Sequence, residues 1–233
     1  MLAAIVGSFI GSFMLCLTYS QDSLFRRSCC ESCRHDLRWF ELVPVISYLV
    51  QRGRCNHCHA SIPFFIVLTE LLFATLFLVF ISTGQAVALS AAFISFLIPL
   101  AIYDIHHFKV PDHMLLLLGC LLLFIQFNLL FDFSHMFRAV LMIILLHLFY
   151  LLTRSIGYGD IKLFSLFALF LPTPYFLLIF MLTYFIGGIA VIFFLSYKTD
   201  LKKVPLIPFI TVSTLLVLKF YDEFYTIYFG GFI

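Results

Sequence analysis

Long apolar runs, separated by short polar segments, account for most of the chain. Eight such runs can be distinguished, and most approach the roughly 20 residues that a helix needs to cross the hydrocarbon layer of a bilayer. They comprise residues 2–19, 62–82, 86–103, 113–131, 137–153, 161–171, 175–197 and 206–220. The sixth run is short, which is consistent with a tilted helix or with one buried among its neighbours. The pattern therefore predicts an all-α polytopic membrane protein with about eight transmembrane helices.

Composition supports this fold class. Of the 233 residues, 63% are hydrophobic and 11% are charged, whereas a soluble domain carries about twice that charged fraction. Residues 20–61 are the one segment with the composition of a soluble domain. We therefore divide the chain into a first span at 1–19, an insertion at 20–61 and a membrane domain of about seven spans at 62–233. The lipid bilayer is the expected partner, and no nucleic acid is expected.

The basic residues indicate the orientation, because loops rich in Lys and Arg stay on the cytoplasmic side of a membrane. If the N-terminus lies outside, only Arg138 and Lys219 oppose this rule. The residues that follow it are Arg26, Arg27, Arg34, Arg38, Arg52, Arg54, Lys109, Arg154, Lys162, Lys198, Lys202 and Lys203. The rule therefore predicts a cytoplasmic insertion and two non-cytoplasmic termini.

Two aspartates at the ends of spans are the first candidates for chemistry, because a carboxylate in lipid is costly and usually functional. Asp104 ends the third span, and Asp160 begins the sixth within Gly157-Tyr158-Gly159-Asp160. The predicted topology places both on the cytoplasmic side at similar depth. One could take a proton from water while the other, kept protonated by like-charge repulsion, hydrogen-bonds a scissile carbonyl. Gly157 and Gly159 would let the backbone approach a substrate and permit dihedral angles that a Cβ forbids.

Each acidic residue also has a structural interpretation. Asp160 fits an N-cap or first-turn acid of a helix, and Asp112, which follows Pro111, fits a cap better than a catalyst. The same-side pair, with one member in a Gly-x-Gly-Asp sequence, favours catalysis for Asp104 and Asp160. Glu70 lies inside the second span, where an unpaired carboxylate is unfavourable. We expect it either to bond a partner helix or to line a substrate cavity.

The insertion contains two Cys-x-x-Cys pairs, a pattern typical of a tetrahedral zinc site. The four cysteines are Cys30, Cys33, Cys55 and Cys58, and Cys29 is an alternative to Cys30. Structural disulfides are not expected in the reducing cytoplasm. A site closed by four thiolates leaves no position for water, so we predict a structural zinc ion that stabilises a loop with little core of its own.

Taken together, these residues resemble the type IV prepilin peptidase family, membrane aspartic proteases of the Gly-x-Gly-Asp class. The resemblance extends over most of the chain, and its most specific parts are the two aspartate blocks and the paired cysteines. The matching elements are Gly11-Ser12-Phe13, residues 41–49 with 52–58, Glu70, Asp104 with Pro111-Asp112, and Gly157-Tyr158-Gly159-Asp160-Ile161-Lys162-Leu163.

The resemblance implies that Asp104 and Asp160 are catalytic. It implies supporting roles for Gly157, Gly159, Lys162 and Glu70. The implied substrate is a prepilin-like precursor, whose short basic leader is removed at the cytoplasmic face of the bacterial plasma membrane, typically after a glycine. For many members it also implies methylation of the new N-terminus from S-adenosylmethionine, although no familiar glycine-rich cofactor loop is visible here. The small size and the cysteine loop are similar to the competence branch of Gram-positive bacteria.

Three departures from the family pattern leave the peptidase residues intact. Leu15 stands where members commonly have Asn, and Tyr19-Ser20 stands where they have Tyr-Arg. A late Pro-Phe-Gly-Pro-like block is represented by Pro205-Leu206-Ile207-Pro208. The first departure bears on methyl transfer, because it lies next to the insertion.

Two other classes of function fit parts of the sequence. A metal-sensing membrane transporter or receptor would use the cysteines as its sensor. That class predicts polar residues along several spans, yet few charged residues other than Glu70 lie deep in the runs. A catalytically inert pilus-assembly factor is the other alternative, but it would not need intact aspartates.

Overall fold

The computed structural model describes residues 2–19, 28–30, 32–82, 87–154, 156–197 and 204–230. Several basic residues used for the predicted orientation lie outside these ranges, namely Arg26, Arg27, Lys198, Lys202 and Lys203. The described residues are mainly helical and contain no strand beyond two isolated β-bridges. The predicted all-α class is therefore confirmed. The chain divides into two compact units, Met1–Val87 and Ala88–Ile233.

The first unit is built on close packing between α1 (Leu2–Tyr19) and α3 (Phe64–Ser82). Two glycines of α1, one turn apart, make this approach possible. A Cβ at Gly7 would lie 2.7 Å from the Cβ of Phe77, and a Cβ at Gly11 would lie 2.6 Å from the Phe73 ring. Small residues at this spacing let helix backbones approach closely in membranes.

Between these helices, the insertion forms short elements. A 3-10 helix spans Trp39–Leu42 and is followed by the short helix α2 (Ile46–Val50). Val45 precedes α2 with a φ of 61°, an unfavourable conformation for a β-branched residue. Contacts with neighbouring residues are therefore needed to hold the backbone of the insertion in this conformation.

In the second unit, α4 (Val87–His107) is the most buried of the long apolar helices, with 78% of its apolar stretch buried. The further helices of this unit are α5 (Asp112–Ile125), α6 (Phe133–Thr153), α7 (Tyr158–Phe170), α8 (Thr173–Tyr197), α9 (Ile207–Lys219) and α10 (Tyr221–Phe229). Phenylalanines fill the core, and Phe93 of α4 meets Phe167 of α7 edge to face with ring centroids 5.1 Å apart. In α6 only 11% of the corresponding stretch is buried, so most of that helix is available to lipid.

The helix lengths agree with a polytopic membrane protein. In the described part of the chain, four helices, α3, α4, α6 and α8, are long and apolar enough to cross a bilayer, and the apolar helices α1, α5 and α9 are shorter. The predicted sixth span corresponds to α7, which has 13 residues. The count of eight spans remains a prediction.

Some predicted boundaries were wrong in ways that matter for the site. Helix α4 continues to His107, so Asp104 lies within its last turn and not at its end. Helix α7 begins at Tyr158, which places Asp160 inside its first turn. Helix α10 was not predicted, because its polar residues, which include Asp222, gave no apolar run.

Candidate active site

Asp104 lies near the C-terminal end of α4, and its side chain is buried. Its Oδ2 accepts a hydrogen bond of 3.2 Å from the backbone N–H of Ile207. Ile207 is the first residue of α9, and Leu206 before it provides no side-chain cap. Asp104 therefore fills, from another helix, the place of a capping residue, where the partial positive charge of a helix N-terminus favours a carboxylate.

Asp160 is the third residue of α7 and is also buried. Its backbone N–H donates a hydrogen bond of 3.1 Å to the carbonyl of Gly157, the N-cap residue. Asp160 lies within electrostatic range of Asp104, so the second unit brings the two predicted residues to the same region. Asp160 does occupy the first turn of a helix, as the structural interpretation expected, but it also lies within electrostatic range of a second buried carboxylate.

The two glycines before Asp160 are needed for space and not for unusual dihedral angles. Gly157 has an ordinary φ of −64° and ψ of 137°, so the dihedral part of the prediction was wrong for it. A Cβ at Gly157 would lie 2.9 Å from Asp160 Oδ2. A Cβ at Gly159 would lie 2.8 Å from the Cβ of Val110 and closer still to its Cγ2. The start of α7 therefore packs directly on the segment that follows Asp104.

Lys162 joins the same two segments by an ion pair. Its Nζ lies 2.6 Å from Asp112 Oδ1 at the start of α5, and it also lies 5.2 Å from the centroid of the Tyr158 ring. Asp112 is in the first turn of α5, whose N-cap is Pro111 without a side-chain bond. Asp112 is therefore a first-turn acid of α5, with Pro111 at the N-cap position, and its carboxylate also pairs with Lys162.

Glu70 is buried in the first unit and has partners at both carboxylate oxygens. Ser12 of α1 donates its hydroxyl to Oε1, and the backbone N–H of Val45 donates to Oε2 at 2.8 Å. The first of the two expected roles, a bond to a partner helix, is therefore what the structure shows. Glu70 ties α1, α3 and the insertion together.

The predicted four cysteines come together in the insertion, with their sulfur atoms all within 4.8 Å of one another. Cys30 Sγ and Cys58 Sγ are 3.8 Å apart, and a tetrahedral zinc site with Zn–S bonds of about 2.3 Å has sulfur–sulfur edges of about 3.8 Å. The donor set therefore fits zinc. Cys29, the alternative ligand, is not a member of this cluster. Among the described residues this is the one cluster of potential metal ligands.

The two Cys-x-x-Cys turns share one backbone design, which the sequence analysis did not predict. In the first turn Arg34 N–H bonds the Cys30 carbonyl, and in the second His59 N–H bonds the Cys55 carbonyl. Arg34 and His59 have φ values of 60° and 58°. This duplication presents the two sulfur pairs in the same way, as a shared tetrahedral site requires.

Hydrogen bonds also lower the pKa of two acidic groups in the insertion, the Cys30 thiol and the Glu41 carboxyl. The backbone N–H of Cys33 is the main cause that lowers the pKa of the Cys30 thiol to about 6, which favours the thiolate that metals bind. The backbone N–H of Arg38 and the side-chain amide of Asn56 hold the pKa of Glu41 below its usual value. Glu41 thereby connects the 3-10 helix to the second cysteine turn.

A contact missed from the sequence is the one between Asp104 and the segment that begins α9. The late proline-containing block, Pro205-Leu206-Ile207-Pro208, was recorded only as a departure from a family pattern. Its position at a helix start, where free N–H groups occur, was the signal that could have identified it.

The chain matches two protein-family models and several known proteins. The model of the bacterial peptidase A24 N-terminal domain matches residues 1–83, and that of the type IV leader peptidase family matches residues 91–192. The chain is 30% identical over 227 residues to the prepilin leader peptidase/N-methyltransferase of Aeromonas hydrophila, which covers 89% of this chain and 76% of that relative. It is 29% identical over 210 residues to the protein of the same name from Bacillus subtilis (strain 168), covering 87% of this chain and 85% of the relative. No solved structure matches the chain.

Proposed function

Because the chain belongs to the type IV prepilin peptidase family and is a prepilin peptidase, we propose that Asp104 and Asp160 are its catalytic pair. The observation that carries this proposal is the position of two buried carboxylates, from α4 and α7, within electrostatic range of each other. The relatives' names do not favour the transporter, receptor and inert assembly-factor alternatives.

In the proposed reaction, a water molecule between the carboxyl groups attacks the carbonyl carbon of the scissile peptide bond. One carboxylate accepts a proton from that water, while the other carboxylic acid donates a proton to the carbonyl oxygen. The tetrahedral intermediate collapses when its C–N bond breaks, and the leaving amine takes the proton held by the first aspartate. The hydroxyl then returns its proton to the second aspartate as the new carboxyl group forms.

The proposed substrate is a prepilin or pseudopilin precursor with a short basic leader before an apolar helix. The integral membrane character of the chain is consistent with such a substrate. We propose cleavage at the cytoplasmic face of the bacterial plasma membrane, because the positive-inside rule holds a basic leader there. The basic residues near Asp104 and Asp160, such as Lys109 and Lys162, support the same side.

For the cysteine site we propose a structural zinc ion held by the four thiolates of Cys30, Cys33, Cys55 and Cys58. When bound, it cross-links the two cysteine turns of the insertion and supplies folding energy. The peptidase step does not pass through it.

The relatives are named N-methyltransferases as well as prepilin leader peptidases. Two grooves in the described part of the insertion have volumes of about 180 and 250 Å³, below the roughly 300 Å³ at which small-molecule sites usually begin. Neither groove fits S-adenosylmethionine as it stands, so we derive no methyl-transfer step from these residues. Mass spectrometry of the mature substrate N-terminus reports the cleavage position and methylation together.

The catalytic proposal is tested by Asp104→Asn and Asp160→Asn in the full chain, reconstituted with a prepilin-like precursor. Each is expected to lower the cleavage rate by roughly 10³-fold or more, and the double variant no further, because paired residues act as a unit. Glu223→Gln is the control, since Glu223 is an exposed acid of α10 that has no part in the proposed site. Full activity in either catalytic variant, with thermal unfolding unchanged, would exclude the pair.

A further inference from the structure

Residues 39–50 of the insertion, here called the interfacial segment, expose large apolar side chains. Trp39 is 80% exposed, Leu49 is 68% exposed and Val50 is 74% exposed. Ile46, between them, is also exposed. Contiguous exposed apolar surface of this kind marks a site of interaction with a protein or a membrane.

The interfacial segment is fixed at the depth of the first two turns of α3. The backbone N–H of Val45, in the middle of the segment, bonds Glu70 Oε2. Glu70 lies six residues into α3, which at a rise of 1.5 Å per residue is about 9 Å from the start of that helix. The ring of Tyr48 also contacts the ring of Phe64, the first residue of α3, with centroids 6.2 Å apart. The short helix α2 therefore lies beside the beginning of a membrane span.

The residues around this contact continue the apolar surface. The first-turn residues of α3, Phe64 and Phe65, are exposed like the side chains of α2. Helix α3 is long and apolar enough to cross a bilayer, so we expect its exposed first turns to face lipid. Side chains held at the same level by the Val45 contact face the same surroundings.

Basic residues flank the interfacial segment at both ends. Arg38 precedes Trp39, and Arg52 and Arg54 follow Val50; all three arginines are exposed. An apolar face with Trp, bordered by Arg, is the pattern of segments that lie in the headgroup region. Arginines at that level attract anionic lipid headgroups.

We propose that the interfacial segment lies in the headgroup region of the same bilayer that α1 and α3 enter, with its apolar side chains inserted and anionic lipids against Arg52 and Arg54. The Glu70–Val45 bond sets its depth and holds Val45 in its unfavourable conformation. Because Arg54 directly precedes Cys55, its contact with lipid headgroups also helps to hold the cysteine site in place. This placement does not depend on the peptidase chemistry.

Trp39 is the single tryptophan of the chain, so the unmodified full-length protein tests the proposal. The protein is reconstituted into vesicles whose lipid tails carry bromine either near the headgroup or near the bilayer centre, and iodide is added as the aqueous quencher. We expect strong quenching of Trp39 by the shallow bromines, weaker quenching by the deep ones and little by iodide. Trp39→Phe defines the background from tyrosines.

Two other outcomes would overturn the proposal. Strong iodide quenching without bromine quenching would place Trp39 in water. Protection from both quenchers would show that protein covers the segment, whether the rest of the chain, a second copy or the apolar helix of a substrate.

Charge and insertion are then tested separately. Leu49→Asp with Val50→Asp is expected to raise iodide quenching and lower shallow-bromine quenching. Arg52→Gln with Arg54→Gln is expected to remove the dependence of Trp39 quenching on the anionic lipid fraction. Arg154→Gln is the matched control, because Arg154 is an exposed arginine outside the insertion. An anionic-lipid response unchanged in the double arginine variant would contradict the proposed headgroup contact.

Discussion

The packing of Gly159 on Val110 predicts that a single methyl group will disable the peptidase. In Gly159→Ala the new Cβ would lie 2.8 Å from Val110 Cβ. Carbon atoms pack favourably at about 3.5–4.0 Å, so Val110 or the start of α7 has to move by about 0.7 Å or more. Forcing an extra methyl group into a packed site of this kind costs about 1–3 kcal/mol of stability.

The same displacement also affects the reaction. Asp160 follows Gly159 directly, and Val110 lies six residues after Asp104. A displacement between them therefore changes the separation of the two carboxyl groups. Because a misplacement of about 1 Å can lower a rate roughly 10²-fold, we expect a loss of about that size in kcat for cleavage of a prepilin-like precursor.

Two variants separate this cause from a general defect. Gly188→Ala adds the same methyl group on α8, where nothing lies within 4 Å of the new Cβ, and should keep full activity. When Val110→Gly is combined with Gly159→Ala, the side-chain atoms that crowd the new Cβ are removed. The backbone N of residue 110, at 3.7 Å, is then the nearest remaining atom, so the double variant should regain most of the lost rate. The reasoning is refuted if Gly159→Ala is fully active, or if the folded double variant remains as slow as the single one.

Two further predictions follow from contacts outside the carboxylate pair. Lys162→Glu should lower activity and Tm by placing like charges together, and adding Asp112→Lys should recover both. The side chains are 37% and 73% exposed, so the native pair contributes no more than about 1 kcal/mol; a double exchange no better than the single one would contradict this. Cys55→Ser should reduce bound zinc, measured by elemental analysis, together with protein abundance, whereas Cys29→Ser should retain both. Equal metal content in the two cysteine variants would remove Cys55 from the site.

The sequence predicted Asp104 and Asp160 as candidate catalytic residues because burying a carboxylate is unfavourable without a functional or structural reason. The same reasoning could not identify their surroundings. The N–H group that bonds Asp104 belongs to a residue 103 positions later, and a backbone N–H has no residue type by which to recognise it. The contact of Gly159 with Val110 could not be predicted either. A glycine in a sequence can serve unusual dihedral angles or close packing, and only the fold shows which of the two applies.

The lengths of most apolar helices were predicted to within a few residues, but the faces by which they pack could not be predicted. A helix that is apolar on all sides has no periodicity to indicate which side meets another helix. In α1 the spacing of Gly7 and Gly11 was the available signal, since small residues four apart mark close helix packing. The missed helix α10 shows the opposite case, because its polar residues hid it from a search for apolar runs.

In both units a backbone N–H group donates to one oxygen of a buried carboxylate. The surroundings of the other oxygen then determine the role that the carboxylate can have. Asp104 accepts from Ile207, and Glu70 accepts from Val45. An uncharged N–H satisfies a carboxylate in a low dielectric without the fixed positive charge that an arginine would bring. Glu70 also receives a hydroxyl at its other oxygen, so both of its oxygens are occupied and it serves as an anchor. Asp104 instead lies within range of a second acid, which is the arrangement that proton exchange with water requires.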